Sequence, residues 1–157
     1  MKLAVPGEPH LTYCTNIHPG ESWAEVRANL ERHVARVKAA VAPSRPFGVG
    51  LRLSAAAAAT LARPAELEAF RAFLHDHGFY VFTINGFPYG PFHGTRVKEE
   101  VYLPDWLDDE RLAYSDRLAE LLLGQGLKLR ARRAAEAALR LSPNDARARR
   151  VLEEAGS

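Results

Sequence analysis

Three times in its first half, this chain passes from an apolar, β-branched stretch into a segment of helical periodicity. Leu11–Ile17 reads as a strand and is followed by Ser22-x-x-Glu25, a capping box. Trp23, Val26, Leu30, Val34, Val37 and Val41 then recur at three- and four-residue spacing. That spacing predicts one long helix stopped by Pro43 and Pro46. Phe47–Leu53 is the second strand. Ser54 is placed to cap a short polyalanine helix, and Pro64 starts a second helix that ends at Gly78. Phe79–Ile84 is the third strand. Strands alternating with helices of this length predict parallel pairing with right-handed crossovers.

Side-chain alternation divides each strand into two faces. Leu11, Tyr13 and Ile17 oppose Thr12, Cys14, Asn16 and His18. Phe47, Val49, Leu51 and Leu53 oppose Gly48, Gly50 and Arg52, while Tyr80, Phe82 and Ile84 oppose Phe79, Val81, Thr83 and Asn85. One face of each strand is bulky and suits helix packing, and the other is smaller and turns polar toward its C-terminal end. A doubly wound sheet buries both faces under helices and reads as continuously apolar. A barrel carries helices outside only, and its lumen meets the substrate. The pattern therefore points to a barrel.

After Tyr80 the sequence YVFTINGFPYGPFHGTRVKEEVYLPDW continues as about twenty residues rich in Gly, Pro and aromatics. A loop of that length and composition, leaving the C-terminal end of a strand, reads as a binding loop. Beyond it, Asp108 or Asp109 caps a helix that carries Leu112, Leu118 and Leu122 and ends at Gly124.

Composition then shifts. Residues 1–123 carry 13 Lys+Arg against 15 Asp+Glu, whereas residues 124–157 carry 8 against 4 and no aromatic residue. A modest arginine excess on a helical tail reads as a solvated face, so nucleic-acid binding is not expected. The single cysteine excludes an internal disulfide. The N-terminus does not read as a signal peptide, and no apolar run approaches the roughly 18 residues of a membrane span. A soluble, cytoplasmic protein is expected.

The segments LTYCTNIHPGESW, FGVGLRLSA and FTINGFPYGPFHGTRVKEEVYLPDW, with the helices between them, resemble the N-terminal part of the EboE metabolite-traffic proteins. That family is related to the xylose-isomerase-like sugar isomerase and epimerase barrels. The resemblance runs from about His10 to Leu123. It implies a (β/α)8 barrel encoded beside genes for making and exporting a small secondary metabolite. A complete barrel needs about 200–250 residues, and only three βα units are legible here. The expectation is a partial barrel over residues 1–123, followed by a short α-helical tail over residues 124–157, with no catalysis of its own. In the tail, Ala131, Ala138 and Pro143 resemble positions of a tetratricopeptide repeat. A plain helical hairpin around Ser142-Pro143-Asn144 and a frameshifted reading frame are the other readings.

In an intact barrel of this kind, His18 and His93 are the candidate catalytic residues, with Asn16, Arg52, Asn85 and Tyr89 as substrate contacts. His18 is the one candidate metal ligand, and a divalent metal enters only as what the isomerase relationship allows. Each has a structural alternative. His18 can bond backbone, Asn85-Gly86 can be turn chemistry, and Arg52 can form a structural ion pair. Tyr89, Phe87 and Phe92 can form a satellite core beneath the loop. Adjacent Glu99 and Glu100 point apart and read as solvated charge. The expected partners are a small metabolite, or a protein or second copy meeting the open sheet edge.

Overall fold

The computed structural model describes residues 1–7, 9–91, 100–124, 132, 135–136, 138–140 and 142–156. The chain forms two compact units, Met1–Asn85 and Gly86–Ser157. The first is a three-stranded parallel sheet in the order β1 (Thr12–Cys14), β2 (Phe47–Arg52), β3 (Phe79–Asn85). Between β1 and β2 runs a helical course made of α1 (Trp23–Asn29), a π turn (Leu30–Val34) and α2 (Ala35–Val41). Between β2 and β3 lie α3 (Ala55–Leu61) and α4 (Pro64–His77).

Two consecutive right-handed crossovers in the order 1-2-3 place their helices on the same face of the sheet. The contacts agree with that placement. Trp23 of α1 donates its indole N–H to Glu66 of α4 at 3.1 Å and meets Phe70 edge-on at 4.9 Å, while the Arg27 guanidinium covers the Phe73 ring at 3.7 Å. Val49, Leu51, Phe79 and Val81 from the sheet, and Leu30, Val34, Leu61 and Phe70 from the helices, make up the buried layer between them.

Local signals hold where they are chemical. Ser22 and Glu25 close the capping box in both directions, Ser54 Oγ accepts from the Ala57 N–H, and Gly78 ends α4 in the left-handed region at φ 61°. Three expectations based on periodicity need correction. The first strand is three residues long rather than seven, because Thr15–Ile17 winds into a 3-10 turn. The helical stripe holds as far as Val34. The π turn adds a residue and rotates the following phase, so α2 buries no side chain and Val41 is 59% exposed.

The third correction lies in β3. Val49 pairs with Val81, but Gly50 pairs with Thr83, leaving Phe82 as an extra residue in a β-bulge. Before the bulge Phe79 and Val81 face the helices and Tyr80 lies on the open face, where its ring fills the space over Gly48. After it, Thr83 packs beside Gly50 on the open face, and Asn85 pairs with Arg52. Tyr80 and Phe82 thus do not belong to the helix-packing face.

The N-terminal segment pairs with the chain just before β1. Lys2 and His10 form an antiparallel bridge, the Leu11 N–H donates to the Met1 carbonyl, and the Met1 ammonium bonds the Leu11 carbonyl. His10 stacks on Phe82 at 4.2 Å and hydrogen-bonds Tyr80 Oη at 2.7 Å. Burial pushes the Tyr80 phenol above its ordinary value.

In the second unit, α5 (Asp109–Gly124) packs against α6 (Ala146–Gly156). Tyr114, Ala119, Leu121, Leu122, Ala135, Ala138, Ala148 and Val151 are buried. The expected turn at Pro143-Asn144 is present, and Ala131 lies outside the described residues. Among the described residues, no helix is long and apolar enough to cross a membrane.

Candidate functional site

Ligands of parallel α/β sheets collect outside the carboxyl ends of the strands. Here that end is formed by the loop from Thr15 to Ser22, by Leu53-Ser54 after β2, and by Asn85 at the end of β3. Arg52 ties these pieces together. Its backbone N–H donates to Thr15 Oγ1 at 2.8 Å, and Nη1 donates to the Gly20 carbonyl at 2.9 Å. Nη1 and Nη2 also donate to the two Glu21 carboxylate oxygens, at 2.9 and 3.1 Å. Ser54 Oγ donates to the Glu21 carbonyl at 2.5 Å while capping α3, and the Leu53 N–H donates to the Asn85 carbonyl at 3.1 Å. The β1–α1 loop is thus fastened to β2 by a two-pronged ion pair and several backbone bonds.

The Arg52 side chain is 3% exposed and Glu21 32%. A planar guanidinium held on both prongs by a carboxylate is set for structural clamping. The crevice beside it, lined by Thr15, His18, Pro19, Gly20, Val26, Asn29 and Arg52, measures about 10 Å³. That is room for about one water molecule.

His18 stands apart from the open face of the sheet. The 3-10 turn interrupts strand alternation at Cys14, so parity no longer sets the direction of Asn16 or His18. The His18 ring instead lies between Tyr13, centroid 5.8 Å away, and His33 of the π turn at 4.6 Å. Tyr13 Oη and His18 Nε2 are hydrogen-bonded at 2.9 Å. Asn16 accepts from the Cys14 thiol at 3.2 Å. Asn85 lies on the Arg52 side of the sheet, where the bulge directs it.

Tyr89 belongs to the second unit. It meets the buried Tyr114 of α5 edge-on at 5.2 Å, while Phe87 faces Tyr102 at 5.8 Å with both of those rings exposed, so only Tyr89 packs as a satellite core would. His93, with Phe92 and Glu99, lies outside the described residues. Among the described residues no group of three or more His, Cys, Asp or Glu side chains is placed to hold a metal ion.

Sequence reasoning did not single out Glu21, Thr15 or Ser54 as partners of Arg52, or Tyr13 and His33 as partners of His18. The parity of Arg52 was the one available signal for the first group. For the second, the sequence offered no signal. Comparison with protein-family models, with curated proteins and with solved structures finds no match to this chain.

Proposed function

We propose that this chain supplies the first three βα units of an EboE-like, sugar-isomerase-related barrel, which handles a small metabolite in the cytoplasm and does not catalyse by itself. The observation that carries this reading is the one-sided sheet. Strands in the order 1-2-3 keep their helices on one face, and the other face narrows to Gly48 and Gly50 before turning polar at Arg52 and Asn85. A barrel wall likewise carries its helices on the outer face only, and here Tyr80 packs over Gly48 on the inner one. In such a barrel Asn85 and Asn16 contact substrate and Arg52 anchors the β1–α1 loop. His93 is the residue on which proton transfer depends, because Tyr13 and His33 hold His18 away from the open face, and a divalent metal would need ligands other than His18.

The test is an assay for isomerisation of pentose and hexose phosphates with and without magnesium or manganese. No turnover is expected. Activity that His18→Ala abolishes would overturn the non-catalytic reading.

A second reading, a protein-interaction module with a repeat-like helical tail, draws support from one observation in the second unit. Tyr102, Leu103 and Trp106 are exposed, and Leu107 is 93% exposed. Sedimentation separates the two. Self-association through the sheet edge supports the barrel segment, and a stable monomer that unfolds cooperatively supports the module.

A further inference from the structure

Asp116 is the one acidic side chain among the buried polar residues of α5, at 1% exposure. It shares a side-chain hydrogen bond with Asp145. Asp145 occupies the N-cap of α6: its carbonyl accepts from the Arg149 N–H, and its Oδ1 accepts from the Arg147 and Ala148 N–H groups at 2.8 and 2.9 Å. Two carboxyl groups in hydrogen-bond contact cannot both ionise without strong repulsion, so one proton joins them. The capping N–H groups and the helix dipole favour the anion on Asp145, which leaves the proton on Asp116 as the donor.

We propose that the Asp116–Asp145 carboxyl pair is a proton-dependent latch that holds the start of α6 on α5, tight in mildly acidic solution and loosened toward alkaline pH. Burial, then the hydrogen bond and charge of Asp145, push the Asp116 carboxyl up to about 7. Burial works against the Asp145 charge, but the Ala148 N–H and the Asp116 hydrogen bond bring it below its ordinary value. Among the described residues, the other charged groups facing the pair are Arg147 of α6, which favours the anions, and Glu120 of α5, which opposes them. Glu120 also pairs with Arg150, a second tie between the helices that does not need the shared proton.

A released Asp116 regains an ordinary carboxyl pKa near 4, so the docked state binds more protons between about 4 and 7. Docking therefore weakens as pH rises through that window, by up to about tenfold per unit, and loses nothing further above it.

Two measurements on the full chain test this. Carbon-13 titration should place the Asp116 carboxyl near 7 and the Asp145 carboxyl below its ordinary range. Amide exchange at Arg147 and Ala148, expressed as the ratio of wild type to Asp116→Asn at each pH, removes the intrinsic pH dependence of exchange. The ratio should rise by up to about 100-fold from pH 5 to pH 8 and level off above 7. If Asp116→Asn does not fold, Asp145→Asn, which keeps a capping side chain, takes its place as reference. An Asp116 carboxyl titrating near 4, or a ratio that stays flat, overturns the latch.

Discussion

The clamp between Arg52 and Glu21 makes a quantitative prediction about what Arg52 is for. Removing one partner of a buried ion pair costs roughly 3–5 kcal/mol, while fully exposed pairs contribute about 0.2–1 kcal/mol. Arg52 is buried but Glu21 is about one-third exposed, so water partly screens the pair. A coupling of about 1–2 kcal/mol follows. Arg52→Met should cost more than that, about 3 kcal/mol, because the Gly20 carbonyl also loses its donor. Glu21→Gln leaves the Glu21 carbonyl bond to Ser54 in place and should cost about 1–2 kcal/mol. The double variant should be little worse than Arg52→Met alone.

The assay is urea unfolding of the four proteins in a Trp106→Phe background. Trp23 is then the sole indole and reports on the first unit, where it packs on Phe70 and bonds Glu66. With a slope of about 2 kcal/mol per molar urea, Arg52→Met moves the midpoint by roughly 1.5 M. A coupling below about 0.5 kcal/mol would refute the clamp and return Arg52 to the role of a ligand contact.

Two further perturbations test the local chemistry of the first unit. Ser22→Ala removes the side chain that accepts the Glu25 N–H and should cost about 1 kcal/mol, read in the same unfolding assay. The Ser22 backbone N–H, then the Ser22 hydroxyl, hold the Glu25 carboxyl below its ordinary value, so its contribution is present above that value and fades as pH falls through the lowered one. The wild type should therefore lose stability on acidification that Glu25→Gln does not lose. Gly78→Ala places a Cβ on a left-handed residue and should cost about 1–2 kcal/mol, whereas Gly78→Asn should cost clearly less.

What the sequence made legible follows from how each signal works. Ser22-x-x-Glu25, Ser54, Pro64 and Gly78 mark helix ends through bonds made within a few residues, and each is found where those bonds require it. The parallel β2 and β3 were also legible, since their apolar runs are bounded by turn residues. Periodicity was less dependable because it assumes a constant phase. The π turn at Leu30–Val34 and the bulge at Phe82 each add a residue that no residue type announces, and every later assignment of a face then changes. The site was partly hidden for another reason. Arg52 and Glu21 are 31 positions apart, and nothing local to either marks the other as its partner. Asp116 and Asp145 pose the same difficulty, because a lone aspartate in a helix looks like surface charge until the fold brings a second carboxyl against it.

The bulge in β3 also affects how this protein behaves among copies of itself. β3 ends the three-stranded order, and among the described residues its outer edge has no strand neighbour. A straight edge offers an even row of N–H and C=O groups that an incoming chain can follow along its whole length. The extra residue at Phe82 breaks the spacing of that row midway and bends the strand there. An incoming strand in register with Phe79–Val81 falls out of register beyond it, so edge-to-edge stacking into fibrils is interrupted after about half a strand.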